Sequence, residues 1–87
     1  MGVGSLRYVA SPRPVRVICG PGGVPHAVIV PGGRRRSVMQ VRDEWLVQDR
    51  WWTDQPVERH FFELLLEPGR VVVTYQELTT REWFAYL

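Results

Sequence analysis

The chain contains one cysteine and no lysine, and both shortages limit what it can be. A single thiol, Cys19, excludes an internal disulfide and a cysteine-rich zinc site. We expect this residue to be a small buried hydrophobe in a strand. All eleven basic residues are arginines. Either a GC-rich genome or the better fit of the guanidinium fork to phosphate and carboxylate would explain that bias.

Long apolar runs are also missing. No stretch approaches the roughly 18 residues that a membrane-spanning helix needs, and neither a signal peptide nor a myristoylation pattern begins the sequence. We therefore expect a cytoplasmic protein with no membrane association. A length of 87 residues, with 45% apolar and 23% charged residues, is typical of one globular domain with a modest core.

Charge is divided unevenly along the chain. Residues 1–42 contain seven arginines and no acidic residue, whereas residues 43–87 contain four arginines and nine acidic residues, which gives +7 and −5 and the overall +2. Such a division is typical of a protein with an anion-binding face. It is equally explained by two halves of one barrel that attract each other.

Short β-forming runs separated by glycine, proline and aspartate predict the architecture. Residues 1–14 lack a clear period and are expected to be a flexible lead-in, which leaves 15–87 as a single small β domain. A tight turn or bend is expected at 42–44. We predict an all-β fold, a small and partly open antiparallel barrel of five to six strands, SH3-like or similar. The candidate strands are 15–19, 26–30, 36–42, 44–52, 57–66, 70–75 and 82–87.

Residues 55–66 allow two interpretations. Val57, Phe61, Leu64 and Leu65 have the spacing of one helix face. A strand over the same residues would place Phe62, Leu64 and Leu66 on one side. The Pro-Gly turn that follows and the strongly β-forming residues 70–75 favour a hairpin. We therefore predict the strand.

The segment Arg50–Phe62 holds two of the four tryptophans and two of the three phenylalanines. Because aromatic side chains bury the most area per residue, we expect this segment to be the centre of the core. Neighbours on a strand point to opposite faces, so one of Trp51 and Trp52 should enter the core and the other should point outward. An outward indole near Arg50 and Arg59 would be typical of a binding hot spot.

The pattern formed by Trp45, Arg50-Trp51-Trp52, Pro56–Arg59, Phe61-Phe62 and Trp83-Phe84 resembles a small bacterial domain of unknown function. That domain occurs beside, or fused to the C-terminus of, the catalytically inactive Y-family polymerase-like proteins of the actinobacterial mutasome. The resemblance covers about residues 34–87. It implies an accessory role in translesion DNA synthesis and no assigned catalytic residue.

Basic and aromatic residues supply the candidate binding site. Arginines neutralise phosphates, and exposed tryptophans stack on bases in small β-barrels that bind single strands. The alternative is a solvated basic turn beside core aromatics. The candidate residues for binding a protein partner or nucleic acid are Arg34, Arg35, Arg36, Arg42, Arg50, Trp51, Trp52 and Arg59.

Catalytic patterns are weak. The glycines at 20–23 and 32–33 lack the Gly-Lys-Ser/Thr of a phosphate-binding loop. Glu58 and His60 would share a strand face, but a lone pair of this kind is usually structural, and a third polar group in a concave site would be needed for acid–base chemistry. We therefore expect a non-enzymatic protein-interaction module without metal or cofactor. The alternative is a weak nucleic-acid-binding barrel that uses the arginine-rich N-terminal half.

Overall fold

The computed structural model describes residues 11–87 and contains six strands. A short 3₁₀ turn, Pro21–Gly23, joins the first two. The predicted lead-in falls mostly on residues 1–10, which lie outside the described residues, but residues 12–14 already belong to the first strand. The strands are β1 (Pro12–Cys19), β2 (Pro25–Ile29), β3 (Arg35–Asp49), β4 (Val57–Leu66), β5 (Arg70–Glu77) and β6 (Trp83–Tyr86).

The strands form a closed antiparallel barrel in which each strand pairs with the next and β6 returns to β1. The closing ladder pairs Pro12 with Tyr86 and Val15 with Trp83. The prediction of a small all-β antiparallel barrel is confirmed, and the ring is closed. Closure pairs the edges that strongly β-forming residues such as 71–73 would otherwise expose.

Strand β4 resolves the ambiguity over residues 55–66. It runs from Val57 to Leu66 with Phe62, Leu64 and Leu66 buried, so the helix alternative is wrong. Alternate side chains on a strand face opposite sides, and these three point into the barrel. Phe61 therefore lies on the outer face, away from Phe62.

The core fills the barrel interior. Leu64, the largest fully buried side chain, shares one buried cluster with residues of β1, β2, β5 and β6. Thr74 is the buried polar residue of this core, and its hydroxyl lies 3.5 Å from the carbonyl oxygen of Phe62. The apolar core residues are Val15, Val28, Phe62, Leu64, Leu66, Val72 and Ala85.

One long strand replaces the two that we predicted at 36–42 and 44–52. Strand β3 continues from Arg35 to Asp49, and its register against β4 shifts between Val38 and Gln40 and again between Val41 and Asp43. An extra residue bulges out at each shift and bends a strand without ending it. The bend expected at 42–44 is therefore a β-bulge, and no turn divides the strand.

The strand also ends earlier than predicted. The backbone N–H of Arg50 donates to the Asp49 carboxylate at 2.8 Å, and Arg50 has a φ of 53°. Thr53 then closes the turn, because its N–H and its hydroxyl both donate to the carbonyl oxygen of Arg50. This local turn chemistry outweighs the high β propensity of Trp51 and Trp52.

The expectation that the Cys19 side chain is buried is wrong. Cys19 ends β1 at an irregular point in the pairing with β2, and its side chain is exposed. The position at the end of a strand, next to the Gly20 turn, keeps it out of the core.

Candidate interaction surfaces

The β3–β4 hairpin extends beyond the residues through which β3 pairs with β2 and β4 pairs with β5. Strand β2 pairs with β3 only at Arg35, Arg36 and Ser37, whereas β3 pairs with β4 as far as Asp49 opposite Val57. Within residues 11–87, the other edge of β3 is not paired with any strand from Val38 onward. We call residues 43–58 the hairpin arm.

Both tryptophans of the pair lie at the tip of the hairpin arm. Trp51 is 75% exposed and Trp52 is 66% exposed. Their rings pack edge to face with centroids 5.6 Å apart. The expectation that one of them enters the core is wrong, as is the expectation that the segment 50–62 is the centre of the core, because the turn at 50–56 carries both indoles away from the barrel.

An aromatic row crosses four strands on the outer face of the barrel. Trp45 pairs with Phe61, Phe61 with Tyr75, and Tyr75 with Phe84. The successive ring centroids are 5.3, 4.9 and 5.2 Å apart. We call Trp45, Phe61, Tyr75 and Phe84 the aromatic row. Sequence reasoning missed it because only the strand register shows that these outward-facing residues are neighbours.

Arg59 packs over the middle of the aromatic row. Its guanidinium carbon lies 4.8 Å from the Tyr75 ring centroid, and its Nε donates to the Glu77 carboxylate at 2.8 Å. Tyr75 is consequently buried although it faces outward. Burial raises the pKa of Tyr75, while the nearby Arg59 acts in the opposite direction. The ion pair with Glu77 holds the Arg59 guanidinium over the aromatic row.

The predicted arginines Arg34, Arg35 and Arg36 lie together at the opposite end of β3. With Met39, Glu67 and Pro68 they line an open cleft of about 470 Å³. Arg16 joins them, because Arg16 and Arg35 both pair with Ile29, from opposite sides of β2. We call Arg16, Arg34, Arg35 and Arg36 the arginine end.

Among residues 11–87, most arginines of the arginine end have no carboxylate partner. In the described part of the chain, Arg16, Arg34 and Arg35 form no ion pair. Arg36 donates to the backbone carbonyl of Glu67 at 3.4 Å. The other predicted arginine of this half, Arg42, lies farther along β3, where its Nε is 3.9 Å from the Glu63 carboxylate.

His60 lies at the rim of a cavity and is paired across strands with Glu44. Its Nε2 is 3.0 Å from the Glu44 carboxylate, and its ring packs on Phe62 at 4.2 Å. Glu58 instead accepts a hydrogen bond from Gln48 at 3.1 Å. The cavity, about 350 Å³ and lined also by Gln76 and Arg81, has no serine, threonine or cysteine in its wall.

Residues 11–87 contain neither a cluster of metal-ligating side chains nor a helix that could cross a membrane. No group of three or more histidine, cysteine, aspartate or glutamate side chains is placed to hold a metal ion among residues 11–87. None of the helical turns in the same range has the length and apolar character needed to span a bilayer.

Comparison with known proteins gave no match to a protein-family model, a curated protein or a solved structure.

Proposed function

We propose that this chain is a non-enzymatic module that binds another protein through the hairpin arm. The observation that carries the proposal is the exposure of both Trp51 and Trp52 at the tip. Two large apolar side chains in water at one point of a small domain mark an interaction site. Tryptophan and arginine are the residues most enriched in binding hot spots, and Arg50 directly precedes the pair.

The charge of the hairpin arm supports a protein partner at this site. Residues 43–58 contain five carboxylates and one arginine, which gives a net charge of −4. Nucleic acid would be repelled by this charge, since the phosphate backbone supplies most of the attraction in such complexes.

The resemblance of residues 34–87 supplies the proposed context. On that basis the partner is a Y-family polymerase-like protein of a translesion synthesis assembly, and the chain is an accessory to damage-tolerant DNA synthesis in the cytoplasm. This part of the proposal depends on the resemblance alone.

Calorimetric titration tests both parts. The purified chain is titrated with the Y-family polymerase-like protein of the same genome, and the double substitution Trp51→Ala, Trp52→Ala is compared with wild type. We expect at least a tenfold loss of affinity, since hot-spot residues each contribute about 2 kcal/mol or more. Met39→Ala, which truncates an exposed apolar side chain outside the arm, should leave affinity unchanged. Equal binding by the tryptophan variant would refute the role of the arm, and no binding by wild type would refute the partner.

The arginine end favours a second candidate function, weak binding of nucleic acid. Arg34, Arg35 and Arg36 line a cleft, and guanidinium forks suit phosphate. This surface is separated from Trp51 and Trp52 at the tip of the hairpin arm by the length of β3, so the two functions do not compete for one site.

A salt series separates this candidate from the first. Binding of single-stranded and duplex DNA should reach micromolar affinity at low salt and fall steeply as salt rises. The double substitution Arg34→Ala, Arg35→Ala should abolish it. Arg81→Asn removes one charge outside the cleft that Arg34, Arg35 and Arg36 line, and asparagine tolerates the positive φ of that position, so this control should retain binding. Absence of binding at low salt would eliminate the candidate.

A further inference from the structure

We infer that the free edge of β3 in the hairpin arm binds an extended, positively charged segment of a partner protein by strand addition. The inference rests on the proposed function and specifies the chemistry of the partner. The ladder between β2 and β3 ends at Ser37, while β3 continues to Asp49.

Backbone groups along this edge provide the affinity. In the antiparallel pair with β4, alternate residues of β3 direct their N–H and C=O groups away from β4. Within residues 11–87 no strand receives these groups beyond the three-residue ladder with β2. An unpaired edge of this length is a template for another strand, and addition of an extended peptide to a sheet edge is an established recognition mode.

Apolar side chains along this edge are exposed to water, and an incoming strand would bury them. Trp45 is 40% exposed and Leu46 is 54% exposed. Trp45 ends the aromatic row, with Phe61 stacked on one side of its indole at an angle of 6° and no strand of the described chain on the other side. An incoming residue opposite Trp45 would extend the row by one position.

The negative charge of this edge favours a positively charged partner segment. The edge carries Asp43, Glu44 and Asp49, and the rest of the hairpin arm adds Asp54 and Glu58. Lysine or arginine at alternate positions of an incoming strand would face this acidic surface. A second copy of the same edge would bring carboxylates against carboxylates, and like charges on paired strands are destabilising. Nucleic acid would meet the same repulsion.

Synthetic peptides test the inference on the full-length chain. The probe is a ten-residue peptide that alternates valine and lysine, and two matched peptides replace lysine by glutamate or carry N-methyl groups on every backbone amide. Fluorescence anisotropy should show binding of the lysine peptide and at least tenfold weaker binding of the other two. Amide hydrogen exchange should slow at alternate residues of 43–49 when the lysine peptide is added, because only those N–H groups face the open edge.

Substitutions on the chain complete the test. Asp43→Asn and Asp49→Asn together should weaken the lysine peptide at least fivefold. Asparagine keeps the side-chain oxygen that accepts from the next backbone N–H at both positions. The control Glu67→Gln, Glu82→Gln removes two carboxylates outside the arm and should change affinity less than twofold.

Several results would overturn the inference. Equal binding of the N-methylated peptide would exclude strand addition, and equal binding of the glutamate peptide would exclude the charge preference. Slowed exchange at 43–49 in a dimer without peptide, or on addition of oligothymidylate, would assign the edge to a second copy or to nucleic acid. If the natural partner still depends on Trp51 and Trp52 while the peptides fail, the proposed function stands and strand addition is wrong.

Discussion

Trp45 and Phe61 occupy directly paired positions on β3 and β4, with ring centroids 5.3 Å apart and ring planes within 6° of parallel. This pair begins an aromatic row on the outer face of the barrel, while Phe62, the next residue along β4, packs inside. The two adjacent phenylalanines therefore belong to different clusters. Because the row reaches the free edge of β3, it links the barrel wall to the hairpin arm.

A double-mutant cycle measures that link. For Trp45→Ala and Phe61→Ala we expect a coupling of about 0.5–1.5 kcal/mol in the free energy of unfolding, because stacked aromatic pairs contribute that much beyond area burial. The same cycle with Trp51 in place of Trp45 should give additive effects within about 0.5 kcal/mol. Urea denaturation supplies the free energies, and additivity in the first cycle would show that the rings do not interact.

Two leucines test which side chains lie in the barrel interior and which lie on its surface. Leu64 is fully buried, and Leu46 on the hairpin arm is 54% exposed. Leu64→Ala should reduce the free energy of unfolding by about 2–5 kcal/mol, through lost burial and the cavity left behind. Leu46→Ala should change it by less than about 0.5 kcal/mol. Similar losses in chemical denaturation would contradict the barrel interior described above.

The tip tryptophans should contribute little to folding. Trp51→Ala combined with Trp52→Ala is expected to change the free energy of unfolding by less than about 1 kcal/mol, because both rings are mostly in water. Trp83→Ala should cost about 3 kcal/mol, since this indole packs against the core and lies 5.6 Å from Phe62. A large loss from the tip variant would mean that the indoles are buried by the chain itself.

Stability should fall at high pH because of Tyr75. Burial raises the pKa of its phenol above the ordinary value of 10.0 in the folded state. The unfolded chain therefore loses this proton first, and above pH 10 the free energy of unfolding decreases. Tyr75→Phe should remove this part of the decrease.

The comparison is internally controlled. Wild type and Tyr75→Phe are denatured with urea at pH 8 and at pH 11. Between these two pH values, the free energy of unfolding should fall less for the variant than for wild type. At pH 8 the phenol is neutral in both states, so ionisation contributes nothing there. An unchanged difference would show that Tyr75 is open to solvent.

The sequence contained enough information for the fold class but not for the surface. The alternation of Phe62, Leu64 and Leu66 predicted strand β4 correctly because burial on one face follows the period of the strand. The bulges at Met39 and Arg42 have no such signature, so one bent strand was predicted as two. Strand propensity also could not place Trp51 and Trp52, since their position depends on the Asp49 carboxylate, which accepts from the Arg50 N–H, and on the Thr53 hydroxyl, which donates to the Arg50 carbonyl oxygen.

The candidate site was predicted in part. The sequence suggested the tryptophan pair and the arginine triplet, yet it gave no distance between them. It also did not show that Arg42 lies near Glu63 or that Arg59 is paired with Glu77 over Tyr75. The aromatic row, and the position of Arg16 across β2 from Arg35, follow only from the strand register, which depends on contacts distant in sequence.

The length of β3 has one more consequence. A single continuous strand has guanidinium groups where it begins and indoles just beyond where it ends, so ligands held at the two ends would not touch each other. Such a chain can act as a bridge that brings an anionic surface and a protein into one complex. Occupation of one end should then leave the dissociation constant at the other unchanged, which is the behaviour of a tether and not of a switch.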